Sequence, residues 1–431
     1  MKNKILLFIV TVGFGLSAQA QTTVWNPAAN EASTGNWNEE ANWTAGIPGA
    51  SGGKAVFNVP DAAPALVTDA QSVFQIVAGD NGDGGEIIVQ DGGSITMGDV
   101  WSGVGYNTNA ILTVEKGGEV TFGQHAWIGF LPESEGTVNI NGGTIHVVQM
   151  TGLGWEGGVG IVNITSGLFD LANINATDMK SIGEGSYIDI SGDGMMTING
   201  NRLAHTGEDG VDYDDQLAEF ITNERIIAHG GSVAPNYWFD EESAETKVIA
   251  PTIISSTMPE DASIEVPSDS DIVISFTRAM DATSVSENLT ITPEIPNQQL
   301  SWSEDGSILT VSGDLAEGIT YAVSLAKTAV DMYGFEVAFE ESFTFIVEGD
   351  IVMESATSPE ITLTMYPNPA SDFISFDGKP VSKVEIYSAS GQLMIKSRNV
   401  TNINIQSLNR GHYLVKAVVD ETAVTRRLIV K

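Results

Sequence analysis

The chain has 431 residues, room for two or three domains, with an ordinary 42% hydrophobic content, 46 glycines and no cysteine. Its 56 Asp/Glu outnumber 19 Lys/Arg, giving a formal charge of −37, which repels phosphate backbones and anionic lipid and excludes nucleic acid as a partner. So much glycine beside ordinary apolar content indicates a turn-rich β protein rather than disorder, and the lack of cysteine excludes disulfides.

The N-terminus reads as a secretory signal. Lys2 and Lys4 precede an apolar run from Ile5 to Leu16, and small residues at Ala18 and Ala20 predict cleavage after Ala20. The run is too short to span a bilayer comfortably, and nothing later approaches the roughly 20 apolar residues needed. No transmembrane segment is therefore expected in the mature chain.

From Gln21 the chain opens with Trp25, Trp37, Trp43 and Phe57, large rings suited to closing the end of a stack of strands. Between Glu86 and Asn199 one phrase then recurs five times: two apolar residues one apart, a glycine turn, and two more apolar residues one apart. Its glycines are Gly93, Gly118, Gly143, Gly167 and Gly194, at intervals of 25, 25, 24 and 27 residues. Alternation at a fixed period is the mark of a β-solenoid, each phrase being one coil. The corner glycines are expected to supply backbone angles that a Cβ resists. A third strand per coil follows, with Trp101, Trp127, Leu153 and Ile182 expected in an inward apolar column. After the fifth coil, Asp214 to His229 has helical spacing through Leu217, Phe220, Ile221 and Ile227, with Gly230-Gly231 as a stop. Tyr237-Trp238-Phe239 is expected to finish the cover. The stretch from Trp25 to about Ile249 resembles secreted bacterial β-helix proteins with autotransporter-associated or PEP-CTERM-type repeats.

Pro251 to Val347 alternates without the 25-residue period, in runs such as Ile272, Ile274, Phe276 and Tyr321, Val323, Leu325 separated by Asp305-Gly306 and Glu317-Gly318. Several strands at this spacing predict a sandwich. The order Phe276, Arg278, Trp302, Asp305-Gly306, Tyr321, Asp331, Gly334, Phe343-Thr344-Phe345 resembles the bacterial Ig-like domain of S-layer and other surface proteins, which implies a spacer.

A polar, acidic stretch at 348–361 reads as a linker. Beyond it come Tyr366-Pro367-Asn368-Pro369, Val384, Ile386-Tyr387, Gly391, Leu408, Gly411, Tyr413 and a terminal Arg426-Arg427-Leu428-Ile429-Val430-Lys431. This series is similar to the type A sorting domain of the type IX secretion system of Bacteroidetes-type bacteria. The resemblance implies passage through the periplasm and across the outer membrane, contact with the secretion machinery, removal of the sorting domain, and often attachment to surface lipopolysaccharide. Charge divides at the same place: 362–431 holds nine Lys/Arg against five Asp/Glu, leaving the acidic excess to the body.

The expected architecture is thus all-β: signal peptide 1–20, β-solenoid 21–250, Ig-like β-sandwich 251–347, linker 348–361 and small β-sandwich sorting domain 362–431. Chemistry is spelled out less plainly. Sugar lyases need a base and cationic stabilisers, yet Lys54, Lys116, Lys180, Arg202, Arg225 and Lys247 share no coil position. Two carboxylates suffice for a glycosidase, but Asp170 and Asp189 read as isolated. Five dispersed histidines, expected at the surface or in caps, show no zinc spacing. Two acidic groups, Asp80, Asp83, Glu86 and Glu208, Asp209, Asp212, Asp214, Asp215, can supply oxygens to calcium, though solvated turns are the commoner outcome. No other cofactor is indicated.

One outward pattern remains. Tyr106, Phe130 and Trp155 fall 13, 12 and 12 residues after their corner glycines and so stack along one edge. Exposed rings in a row can bind sugar, whereas buried ones fill a corner. The reading that joins these parts is a non-enzymatic secreted or cell-surface protein with the solenoid as display or adhesion element. Binding of polysaccharide along the aromatic edge is the alternative, and a polysaccharide-degrading enzyme the third.

Overall fold

The computed structural model describes residues 21–27, 34–82, 84–172, 182–203, 216–349, 363–377, 381–388, 392–419 and 422–431. The cleavage site after Ala20, Asp83, the acidic group from Glu208 to Asp215, nearly all of the linker and Gly391 lie outside these residues.

The repeat winds into a solenoid with three faces around one core. The first face is a parallel sheet of Thr22–Val24, Lys54–Phe57, Gln75–Ala78, Ser102–Val104, Ala126–Ile128 and Thr151–Leu153. The other two faces begin as separate strands, such as Ala110–Glu115 and Glu119–Phe122, and merge in the next coils into the continuous 13-residue strands Glu135–Val147 and Val159–Leu171. Register puts like residues over like. Leu112, Val138, Val162, Ile188 and Ile226 form one buried row, and Ile95, Val120, Ile145, Phe169 and Met196 another. Each coil contributes the same small apolar increment, so burial accumulates only by stacking.

The corner glycines divide the labour expected of one residue. The left-handed angle falls on the preceding glycine in the first three coils, with φ of 77° at Gly92, 80° at Gly117 and 97° at Gly142. Gly93 and its equivalents are required for space instead, since a Cβ on Gly93 would stand 2.1 Å from the Val67 carbonyl oxygen of the coil below. Coils only 4.8 Å or so apart leave no room for a side chain pointing along the stack.

Both solenoid ends are closed. Trp25, Trp37, Trp43 and Phe57 are buried in mutual contact, with Trp37 and Trp43 at 4.8 Å and Trp25 and Trp43 at 5.0 Å. At the far end the helix is shorter than its spacing predicts, covering Gln216–Thr222. Leu217 and Phe220 are buried as expected, but Ile227 belongs to a strand, Ile226–Ala228, which adds to Tyr187–Ile190. The open edge of that sheet offers ladder hydrogen bonds that a further helical turn would leave unmade. The hairpin Asn236–Asp240 and Glu245–Ile249 then pairs antiparallel with Met195–Asn199 and ends the parallel stack. Trp238 turns outward onto Tyr333 and Phe335 of the next domain, at 4.7 and 5.4 Å.

That domain is a sandwich of two four-stranded sheets, ordered Ile254–Met258, Ile272–Phe276, Ile308–Ser312, Gln299–Trp302 and Ser263–Val266, Glu341–Val347, Thr320–Leu325, Leu289–Thr292. Buried Arg278 reaches back to the Gly194 carbonyl at 3.2 Å, tying the sandwich to the last coil. The C-terminal domain has a three-stranded and a four-stranded sheet, the latter ordered Leu393–Val400, Val381–Ser388, Gly411–Val419, Thr422–Val430.

Candidate functional site

The first face of the solenoid alternates small inward residues with outward ones. In Ala126–Ile128 the buried residues are Ala126 and Ile128, so Trp127 projects to the outside. This corrects the inward placement expected of Trp101 and Trp127: the inner column is Val104, Ile128, Leu153 and Ile182, and the tryptophans stand on its opposite side. Trp127 is registered between Gly103 and Gly152, and its indole lies over Gly152, where a Cβ would meet ring carbons at 2.4 and 2.6 Å.

Tyr106, Phe130 and Trp155 do line one edge, all half-buried. Their contacts differ from a simple ladder. Tyr106 and Phe130 stack directly, 5.3 Å apart and within 6° of parallel, and Trp101 stacks on Tyr106 at 5.0 Å. Phe130 reaches Trp155 through Trp127, which touches both at 5.2 and 5.4 Å. Five rings therefore form one unbroken row. Trp101 and Trp127 escaped the count from the corner glycine because they precede the inner column while the other three follow it. The signal that finds Trp127 is the small residue at its registered positions, glycine at 103 and 152.

Stacking has a chemical consequence. Parallel rings cover each other's faces and leave edges to solvent, so the middle of the row offers little π-surface to a ligand. At its end the position after Trp155 in the next coil is Glu184, since Leu153 bridges to Ile182. There a groove of about 410 Å³ opens, lined by Trp155, Gly157, Gly183, Glu184, Asn223 and Arg225 among others. The Arg225 guanidinium donates to the Gly183 carbonyl, which fixes it at the groove wall.

The other outward rows are polar. His146 has Nδ1 2.8 Å from Asp170 Oδ2, and Asp170 Oδ1 accepts from the Thr197 hydroxyl at 2.9 Å. Asp170 is thus not isolated, because register stacks it between residues 24 and 27 positions away. Beside this row run Thr113, Asn139, Asn163 and Asp189, with Asn163 donating to Asn139 at 2.9 Å. Asp189 is buried and accepts from the Gly230 amide at 3.1 Å; burial pushes its carboxyl up to about 6. His229 is also buried, at the closing end of the solenoid, with Nε2 2.8 Å from the Pro251 carbonyl, and burial lowers it to about 4. Of the acidic group at the other end of the aromatic face, Asp80 pairs with Lys54 at 3.0 Å.

The C-terminal motif is built around Asn368. Its side chain donates to the Arg427 carbonyl at 2.7 Å and accepts from the Ile429 amide at 2.8 Å, clamping the last strand. The Lys431 amide continues the clamp onto Ala370 at 2.9 Å. Pro367 and Pro369 flank this asparagine in a bend that follows the strand Thr364–Tyr366, and Tyr366 is exposed. Tyr413 is buried and its hydroxyl donates to the Asn409 carbonyl at 2.9 Å, near Gly411 at the start of its strand. The motif therefore holds the terminal strand in its sheet.

Comparison with known families agrees with this division. Residues 364–431 match the family described as secretion system C-terminal sorting domain, and residues 247–346 match the bacterial Ig-like domain. No curated protein matches the chain. Among solved structures, the S-layer protein rSbsC(31-844) is 16% identical with a TM-score of 0.18, over 42% of this chain and 26% of that one. An L,D-transpeptidase from Mycobacterium smegmatis is 10% identical with a TM-score of 0.18, over 38% and 60%. A fragment of Escherichia coli alpha-2-macroglobulin is 10% identical with a TM-score of 0.19, over 42% and 71%. The chain thus spans about a quarter of the first of these and 60% of the second. Likeness at this level carries no functional argument. The sorting domain does: the chain has the architecture of type IX secretion cargo, exported through the periplasm to the cell surface or beyond. Among the described residues no helix is long and apolar enough to cross a membrane.

Proposed function

We propose that this protein is a non-catalytic surface or extracellular module of a Bacteroidetes-type cell, displayed by its Ig-like spacer and binding partners through the aromatic face of the solenoid. The observation that carries the reading is the unbroken row of five half-exposed rings on the first face. Rows of this kind are not needed to close the core, which is already filled from the inner side of the same strands. Partly exposed aromatics in continuous contact form an adhesive surface rather than scattered surface apolarity.

Polysaccharide is the second reading, favoured by the groove at Trp155. A sugar ring stacks on an exposed aromatic face, and a few convergent polar groups set its orientation. Trp155 supplies the platform at the end of the row, and Glu184, Asn223 and Arg225 supply the polar groups. The deciding experiment is a binding and product-release screen of the exported protein against algal, plant and bacterial polysaccharides, with and without calcium. Glycan binding lost in Trp155→Ala and kept in Tyr106→Ala supports the second reading. Binding to cells or proteins alone supports the first, and new chain ends in any glycan would overturn the non-catalytic assignment.

A further inference from the structure

The sorting domain does not stand clear of the body. Its terminal strand Thr422–Val430 faces the Ig-like domain, where Arg427 Nη1 lies 3.1 Å from Glu260 Oε1 and Arg426 Nε 3.8 Å from Asp261 Oδ2. Asp261 is preset for this, because its other oxygen accepts from the Thr344 amide at 3.0 Å within the sandwich. On the adjacent strand, Lys416 Nζ sits 3.5 Å from the centre of the Phe339 ring. Glu341 lies behind it, with its carboxyl raised to about 8 by burial against the pull of Lys416 and Arg426. The solenoid contributes as well. Gly230 presses on Leu393, so closely that a Cβ there would stand 2.4 Å from the leucine Cβ.

We infer that the acidic rim of the Ig-like domain, Glu260 and Asp261, is a docking surface for the basic terminal strand of this chain's own sorting domain. The hold is electrostatic and reversible. The sequence supplies an independent reason: 362–431 is net basic, with nine Lys/Arg and five Asp/Glu, on a body that carries the whole acidic excess. Exposed ion pairs contribute only about 0–1 kcal/mol each. Tethering raises the effective concentration of the strand to roughly millimolar, and the contact of Lys416 with the Phe339 ring and the packing of Leu393 on Gly230 add to the ion pairs. A partner that reads the arginines of the terminal strand must therefore displace the body's own carboxylates.

The absence of cysteine makes the test clean. Cysteines placed at exposed Thr290 and Thr401 in the full chain accept spin labels, and the distance distribution reports docking. At 50 mM salt we expect one narrow distance. Glu260→Lys with Asp261→Lys, or 0.5 M salt, should lower the docked fraction several-fold while the thermal transition of the Ig-like domain persists. Combining those changes with Arg426→Glu and Arg427→Glu should restore the narrow distance. A broad distribution in the parent chain, or a narrow one unmoved by both charge reversal and salt, would overturn the inference.

Discussion

The aromatic row and the polar rows of the solenoid share one geometry, registered side chains on successive coils, yet spend it differently. In the aromatic row like stacks on like and ring faces are covered by ring faces, as with Tyr106 on Phe130. In the polar rows unlike groups meet, His146 on Asp170 on Thr197, and satisfy one another's hydrogen bonds. The lesson is common to both. A stacked row consumes its own chemistry along its length, so what remains for solvent or ligand is found where the row ends. The aromatic row ends at Trp155 against an open groove, and the asparagine row ends at Asp189 in a buried corner.

The largest effect is expected at that buried end. Asp189 has its carboxyl raised from 3.8 to about 6, so the folded state holds a proton the unfolded state has released between those values. Stability therefore falls as pH rises through that window and is flat above it. At 1.36 kcal/mol per pKa unit the loss is on the order of 2–3 kcal/mol. Asp189→Asn keeps the acceptor for Gly230 and should raise the melting temperature at pH 7–8 with no gain near pH 3.5.

Next in size is a contrast within the aromatic row. Gly152→Ala places a methyl 2.4 Å from the Trp127 ring and should cost about 1–3 kcal/mol by overpacking. Gly103→Ala meets Tyr106 only at 3.5 Å and should cost less than about 1 kcal/mol. Equal losses in urea melts would show that Trp127 is not seated on the next coil.

Third, if polysaccharide is the ligand, Trp155→Ala should weaken binding about tenfold, near 1.4 kcal/mol, with the fold intact. Tyr106→Ala should leave affinity within about twofold, because its faces are already covered. The smallest effect is expected in the polar row. His146→Ala removes a pair in which both side chains are about a third exposed and should change stability by less than about 1 kcal/mol without touching binding. Calorimetry and affinity measurements on the same variants separate these two.

Much of this was legible from residue order. Periodic apolar pairs identified the coils, and Tyr366 to Pro369 with the terminal strand identified the sorting domain. Local pattern failed where the next coil decides. Whether Trp127 faces in or out depends on which alternation phase the core accepts, and a three-residue strand is too short to state its own phase. Asp170 reads as isolated along the chain because its partners lie a full coil away on either side. The helix after the fifth coil lost its last turn to a strand because an unpaired sheet edge waited for Ile226–Ala228.

The sequence alone determined the period, the division into three β domains, the export route and the charge contrast between body and sorting domain, since each is carried by residue type and spacing along the chain. Tertiary structure decided which rings meet, where the aromatic row opens, why Asp189 is buried, and that the basic strand faces Glu260 and Asp261. Those outcomes depend on register between coils and on contact between domains, and distances of that kind are set by packing rather than by any local stretch.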